Sequence, residues 1–557
     1  MGKSRDSQLY LHLSNRFESL AEALAAELAA DAGDPLCPQT VVVSSAETAR
    51  WLSMQLARHN GLAMGIRYPF PRGLIDELMT SLLGAERRCS PRFTRDAMTW
   101  WLHDTLPAHL ERSEFAPIRA YLHGENALRR FELARRIASL FDQYQIYRPE
   151  LLLGWDKGDE ATDWQAELWR AVRRDFPGEA SFVDLHAEIA ALNDEDIRRD
   201  HLPSRLRVFG LNTIPPAFLD ILWKVSIAIP IDFYVLSPTD QYWSDLPTLK
   251  QRLRRGEETA PVDGNPLALS LGRLGRELIE QLITRDFQQA GEYFDLPAGT
   301  TLLGHLQTDL LSLRDGTRLS PKPAIAAKDR SIEVHSCHGR MREIEVLHDR
   351  LLNLFEQDPS LRARDVLVMA PDIDAYTPCI QAVFGTPESV ELRIPYSLAD
   401  QSFRSRIAVA DAFLRVLDLG TSRFETHRVL AAIECEPIRR AFGFDDLDLQ
   451  RLRRWLSDCG IVWALNAEHR KQLGFAAETI GTWAHGEATL LAGYAMNGRG
   501  PRMHAGIQPY EDLEGDHLET LERLLVAMDL FGQIAAAMAV RRDRAAWALT
   551  LSDFVHS

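Results

Sequence analysis

A carboxylate, an amide and a guanidinium clustered at the end of one amphipathic stretch are the groups in this chain best placed to do chemistry. They are Asp142, Gln143 and Arg148, in a run from Phe131 to Leu153 that also contains Leu140, Phe141, Tyr144 and Tyr147. Such side chains donate to and accept from base edges, and aromatic or apolar neighbours supply stacking. That combination points to a DNA-handling surface rather than a catalytic one. The element that must position these groups is a helix. Leu133, Ile137, Leu140, Phe141 and Tyr144 recur at three- and four-residue spacing as one apolar stripe, with Arg135, Ser139, Asp142 and Gln143 on another face. Pro149 ends the helix just after Tyr147 and Arg148.

Around that stretch the chain alternates strand and helix patterns. Leu9 to Leu13 precedes a helix at 16–30, Thr40 to Ser44 precedes one at 46–58, and Pro69-Phe70-Pro71 opens a third. Helical periodicity alone governs 90 to 200, after which Arg205 to Phe209 and Ile231 to Leu236 read as strands. Residues 256–330 are broken by Gly256, Gly264-Asn-Pro266, Pro297-Ala-Gly299 and Pro321 to Pro323. A second α/β pattern follows: Ser331 to Ser336 and Val366 to Met369 as strands flanking a helix at 340–356, then mostly helix from about 403. The expected fold class is α/β, with two parallel-sheet cores that each carry a helical insertion. The divisions are 1–90 plus 200–255 for the first core, 91–199 for its insertion, 256–330 for a connection, 331–402 for an incomplete second core and 403–557 for a truncated second insertion.

That layout is the one used by superfamily 1 helicases, whose first strand feeds a glycine-rich loop that cradles phosphate. Here the turn reads Leu13-Ser14-Asn15-Arg16-Phe17, without glycine or lysine, and Asn15 with Glu18 reads as a helix cap. The two cores are therefore expected to be degenerate, P-loop-type in shape but not in chemistry. Gly2-Lys3-Ser4 copies the end of the motif but lacks its strand and upstream glycine. Asp76-Glu77 and Asp194-Glu195 do not directly follow apolar strands and read as surface carboxylates. His335-Ser-Cys337-His338 offers three ligands and no fourth nearby, and reads as structural at a strand end. Asp372-x-Asp374 has no lysine partner, so Asp372 reads as the start of a turn or a helix cap. No catalytic residue, metal ligand or cofactor site is assigned.

With 557 residues and 46% apolar content the chain is long enough for several cores, about 150 residues each. It has no N-terminal apolar leader and no run approaching a membrane span, and its six cysteines are scattered, which predicts a soluble cytoplasmic protein. The net charge of −16 excludes a uniformly basic nucleic-acid surface, so any DNA path must be local. Candidate basic patches are Arg129, Arg130, Arg135 and Arg136; Arg170, Arg173 and Arg174; Lys250, Arg252, Arg254 and Arg255; Arg451, Arg453 and Arg454; and Arg541, Arg542 and Arg544. Each alone is equally a solvated helix face.

Leu140-Phe-Asp-Gln-Tyr144 followed by Tyr147-Arg-Pro149 closely resembles the RecC family, the gamma subunits of bacterial exodeoxyribonuclease V (RecBCD). Ser14-Asn-Arg16, Val43-Ser-Ser45 leading to Trp51-Leu52, Pro69-Phe-Pro71, Arg342 to Arg350 and Ile394-Pro-Tyr396 fall in the family's order, so the resemblance covers essentially the whole chain. Family members are about twice as long, which predicts an N-terminal half. The resemblance implies a catalytically inactive helicase relative, working with RecB-like and RecD-like subunits that bind ATP and magnesium, and contacting single- and double-stranded DNA. It further implies a subunit that takes the 3′-terminated strand from its RecB partner and scans it for the recombination hotspot Chi. Leu140, Asp142, Gln143 and Arg148 match the family's Chi-reading positions. Further positions of that surface fall on Ser44, Ala46, Arg50, Phe70, Asp76, Ser139 and Phe182 and depart from its best-known pattern, which predicts altered or absent recognition of the commonest Chi octamer. Leu140 equally fits plain core, and Arg148 equally fits bonding to nearby carbonyls or a carboxylate. Two other readings stay open: an active ATP-dependent helicase or nuclease subunit, and a structural tether that never touches DNA.

Overall fold

The structure, a computed structural model, describes residues 7–30, 37–124, 126–158, 163–197, 199–244, 246, 264–285, 287–297, 299–385, 392–399, 407–496 and 503–556. Two compact units divide the chain, Met1–Val334 and His335–Ser557. The Gly2-Lys3-Ser4 terminus and the Lys250 to Arg255 patch lie outside the described residues.

In the first unit β1 (Leu9–Ser14), α1 (Phe17–Ala30), β2 (Gln39–Val42), α2 (Ala46–Asn60), β3 (Ile66–Arg67) and α3 (Pro71–Leu83) follow the predicted alternation. Ser45 caps α2 by accepting from the Thr48 N–H, and Gly61 ends it in a left-handed turn at φ 77°, a conformation that glycine adopts without penalty. A helical insertion comes next: α4 (Arg95–His109), α5 (Ala116–Tyr121), α6 (Ala127–Tyr147), α7 (Pro149–Lys157), α8 (Trp164–Asp175) and α9 (Phe182–Ala191). Then β4 (Leu206–Phe209), α10 (Pro216–Ser226) and β5 (Ile231–Leu236) return to the sheet. A sixth strand, β6 (Gln288–Glu292), comes from the stretch read in sequence only as a broken connection, and pairs parallel to β1.

The sheet order is β3-β2-β4-β5-β1-β6, with every pairing parallel. Parallel sheets are covered on both faces, and strand alternation sorts the residues. Leu9, Leu11, Leu206, Val208, Ile231 and Phe233 pack with Leu74 and Ile75 of α3, Phe182 of α9 and Phe218 of α10. Val41, Phe209 and Tyr234 point the other way, against Leu20 and Leu24 of α1 and Leu52 and Leu56 of α2. The insertion has its own core of Phe93, Met98, Leu102, Phe141, Trp155 and Trp169.

The second unit departs from expectation. Its described residues form helices and a single isolated bridge, His504 to Ile507, but no sheet. Residues 331–336 and 366–369 carry strand-like composition yet have no ladder, and Val334, Leu367 and Met369 are 92%, 83% and 84% exposed. A strand exists only through the neighbours that satisfy its N–H and C=O groups. Among the described residues no second strand lies beside either segment, so the second parallel-sheet core is not formed by them. The flanking helix is present as Arg340–Gln357 and packs on Ile373–Phe384 through Ile344, Leu351, Ile380 and Phe384. Asp372 caps that second helix by accepting from the Ala375 N–H at 3.3 Å, as its sequence position suggested. From Ala408 onward the unit is helical, around Phe424, Trp455, Trp483, Leu524 and Phe531. No described helix is long and apolar enough to cross a membrane.

Candidate nucleic-acid interface

The reading residues sit on α6 and its exit. Pro149 lacks an N–H and disfavours helical backbone in the residue before it, so Arg148 leaves α6 at φ −144° and ψ 53° and becomes the N-cap of α7. Its N–H still donates to the Tyr144 carbonyl at 2.9 Å, which fixes the joint. Pro149 is buried, whereas Arg148 and Gln143 are exposed and Asp142 and Ser139 half-buried. Ala134, Ile137, Ala138, Phe141 and Gln145 form the buried face of α6. Leu140 is half-buried and belongs to none of the core clusters, so it lies at the margin of the surface that carries Gln143.

Gln145, missed by sequence reading, anchors this helix. It is 2% exposed, its amide nitrogen donates to the Phe93 carbonyl at 3.5 Å, and its amide oxygen accepts from the Phe182 N–H at 3.3 Å. The only sequence signal was a polar residue one position past the apolar Tyr144.

The remaining candidates come from the carboxyl ends of β2 and β3 and from α3, the side of an open α/β sheet where ligands bind. The Val43 N–H donates to the Pro69 carbonyl at 3.3 Å, which sets Ser44 close to Phe70. Ser44, Ala46 and Arg50 are exposed on the first turns of α2, and Phe70, 51% exposed, N-caps α3. Asp76 of α3 pairs with Arg72 at 3.4 Å, and the Arg72 guanidinium lies 5.1 Å from the Phe182 ring centre. Asp76, Arg72, Phe182 and Gln145 thus link α3 through α9 to α6. Phe182 itself is 1% exposed, packed on Phe218 and Arg72. It cannot present its ring to a base, and its expected place in the reading surface is corrected to that of a supporting core residue.

Charge separates the basic patches. Arg170 pairs with Glu167 at 2.8 Å, Arg173 with Asp184 at 2.7 Å, Arg451 with Asp516 at 2.6 Å, Arg453 with Glu434 at 2.6 Å and Arg454 with Asp512 at 3.1 Å. Arg542 lies over the Trp547 ring. By contrast Arg50, Arg135, Arg136 and Arg148 are exposed and have no carboxylate within 4.0 Å among the described residues. Guanidiniums without a protein counter-ion on α2 and α6 are suited to phosphate.

The turn after β1, where a nucleotide's phosphates would sit, is occupied by the chain itself. Ser14 Oγ donates to the Tyr293 carbonyl at 2.6 Å and accepts from the Arg16 N–H at 3.0 Å. Asn15 does not cap α1: its amide donates to the Asp295 carbonyl at 2.9 Å and accepts from the Asp295 N–H at 3.0 Å. The Asp295 carboxylate accepts from Ser19 Oγ at 3.1 Å and faces Arg16 at 3.4 Å. The Asp295 carboxylate thereby lies beside the first turn of α1, the end of a helix that favours negative charge. Glu77 pairs with Arg67 at 2.6 Å on the surface, whereas half-buried Asp194 pairs with the buried Lys224 at 3.1 Å, so each Asp-Glu pair is engaged by a cation of the chain. Among the described residues no group of three or more His, Cys, Asp or Glu side chains could hold a metal ion.

A six-stranded parallel sheet that carries a helical insertion and exposes hydrogen-bonding and aromatic groups at its carboxyl edge defines an open α/β scaffold. Residues 9–313 match the family model described as RecC, N-terminal domain, and residues 407–557 match that of the RecBCD enzyme subunit RecC fourth domain. The chain belongs to the RecC family. It is 32% identical over 557 aligned positions to the RecBCD enzyme subunit RecC of Haemophilus influenzae, covering 87% of this chain and 48% of that protein. The corresponding values are 31%, 99% and 53% for the RecC subunit of Escherichia coli, and 33%, 92% and 48% for that of Mycolicibacterium smegmatis. The chain spans about half the length of the curated relatives it matches.

Proposed function

We propose that this chain is the strand-reading part of a non-catalytic subunit in a RecBCD-type complex for double-strand-break repair by homologous recombination. In this reading it is a degenerate helicase core acting in the cytoplasm beside RecB-like and RecD-like subunits, which bind ATP and magnesium and drive unwinding. Separated single-stranded DNA passes α6 and the carboxyl edge of β2 and β3, and a Chi-type hotspot is recognised there. The observation that carries the reading is the α6 exit: Asp142, Gln143 and Arg148 presented at a joint fixed by Pro149, on a helix anchored from beneath by Gln145. The turn after β1, which has neither glycine nor lysine and is bonded to Tyr293 and Asp295, supports a subunit without a motor of its own.

The side chains give each position a distinct capacity: Asp142 accepts from exocyclic amines, Gln143 both donates and accepts, Arg148 donates to phosphate or to a guanine edge, and Leu140 and Phe70 offer apolar surface. Ser44, Ala46 and Arg50 supply short or cationic groups where the family's best-known members read with others, which favours a hotspot other than the commonest octamer. The test is reconstitution of the full-length protein with its RecB and RecD partners. The degradation or unwinding response at a hotspot is compared with that on hotspot-free DNA, for the unaltered complex and for Asp142→Ala and Arg148→Ala. Their ratio should fall towards one, by about fivefold or more, in either variant, since a good bidentate contact is worth about 1–3 kcal/mol. An unchanged ratio would overturn the reading and favour a tether.

A further inference from the structure

We infer that the single strand does not end its contact at Asp142 but continues along α6 onto an aromatic platform made by Trp100 of α4 and Phe131 of α6. This inference rests on the strand-reading proposal for α6. Phe131, Arg135, Ser139 and Asp142 are spaced four, four and three residues apart, so they lie on successive turns of one helix face. The reading residues Ser139 and Asp142 thus share their face with an arginine lacking a protein counter-ion and with an aromatic ring.

At the far end of that face the Trp100 and Phe131 rings lie 5.0 Å apart between centres, inclined at 46°. His103 closes the cluster at 6.1 Å from Trp100 and 6.3 Å from Phe131. Trp100 is 42% exposed and Leu128, one turn before Phe131, is 66% exposed. Large apolar groups left in solvent beside unpaired guanidiniums are an unusual surface for a monomer. A flat π-face fits a nucleobase and a guanidinium fits the phosphate between bases, and neither selects sequence.

From Phe131 to Asp142 the helix rises by about 16 Å at 1.5 Å per residue, room for up to about five nucleotides if they stack at the duplex spacing of about 3.4 Å each. The platform therefore holds bases beside those being read. Arg135 midway and Arg136 alongside supply the charge complementarity that a protein partner with an acidic patch could also exploit, but continuity with the reading face favours the strand.

The experiment uses the full-length protein assembled with its RecB and RecD partners, without ATP, bound to a duplex whose 3′ single-stranded tail carries 5-iodo-deoxyuridine. Ultraviolet crosslinking followed by peptide mapping should place the tail on the peptides bearing Trp100 or Phe131. Trp100→Ala should weaken tail binding about tenfold, and equally for tails with and without a hotspot, because stacking is tolerant of sequence. Trp100→Phe should restore most of the loss, and Arg135→Ala should lower the log–log salt slope by about 0.7. Crosslinks confined to other regions, with affinity unchanged in Trp100→Ala, would overturn the platform. So would a Trp100→Ala variant that fails to assemble while the strand affinity of whatever complex forms is unchanged, since that marks a protein-docking surface. The underlying reading fails separately, if Asp142→Ala keeps full hotspot discrimination.

Discussion

Phe182 and Leu140 show how the role of a side chain depends on which way its helix face is turned. Phe182 is sealed between α3, α10 and the Arg72 guanidinium, so truncating it leaves a cavity rather than a lost base contact. Phe182→Ala should cost about 3–5 kcal/mol in chemical denaturation, with any fall in DNA binding tracking the unfolded fraction. A stable variant with selectively weakened strand binding would contradict the core assignment. Leu140 and Phe141 both belong to the apolar stripe visible in sequence, yet only Phe141 is buried. The buried face of α6 takes in Ala134, Ala138 and Gln145 instead. Alanine and glutamine give a weak apolar signal, which is why the stripe alone left Leu140 undecided.

Within the sheet, the pairing of elements created a polar core that the sequence reading did not anticipate. Arg207 is fully buried, donating to Glu27 of α1 at 2.9 Å and to Gln39 of β2 at 2.6 Å. Arg205 donates to Asp232 at 2.6 and 3.0 Å and faces Glu27 at 3.0 Å, while His12 lies 3.2 Å from Asp232 and stacks on Tyr234. Two guanidiniums thus face two carboxylates, which is the condition for burying any of them. Burial pushes the Asp232 carboxyl up, but hydrogen bonds from His12 and Arg205 outweigh it and hold the group below the usual aspartate range. Its contribution is therefore present above the ordinary carboxylate pKa and is lost as pH falls through the depressed value. Asp232→Asn should destabilise the first unit by about 3 kcal/mol at pH 7, because Arg205 and Arg207 are then left to share the single Glu27 carboxylate. The variant should also show a shallower loss of stability below pH 4, measured by denaturant midpoints across pH. A midpoint that does not move at pH 7 would remove the network from the stability of the sheet. The signal was legible in principle: Arg205 and Arg207 alternate with Leu206 and Val208, a two-faced strand rather than a uniformly apolar one.

Charge distribution acts at the scale of the whole chain. A net charge of −16 repels nucleic acid at long range, so strand binding must rest on the few guanidiniums that the chain does not neutralise itself. Arg50 of α2, Arg135 and Arg136 of α6 and Arg148 at its exit are four of that set among the described residues. At about 0.7 per neutralised phosphate, the slope of log affinity against log salt for a single strand should be about −3 for this part of the protein. Titration of single-stranded binding from 50 to 300 mM salt, comparing the full-length protein with a variant in which all four are alanine, should show that difference. Equal slopes would place the phosphate contacts elsewhere.

The sequence by itself determined the strand–helix alternation of the first unit, the helix that ends at Pro149, the absence of a phosphate loop and the family resemblance. These depend on local periodicity, on proline's missing donor and on residue identity. Tertiary structure alone decided the rest. It recruited Gln288–Glu292 as a sixth strand, left 331–336 and 366–369 without a strand to pair with among the described residues, turned Phe182 inward, and gave Arg170, Arg173 and Arg451 carboxylates while giving Arg135, Arg136 and Arg148 none among the described residues. Strand pairing, burial and ion pairing each require groups distant in sequence to meet, and a one-dimensional pattern does not record which of them do.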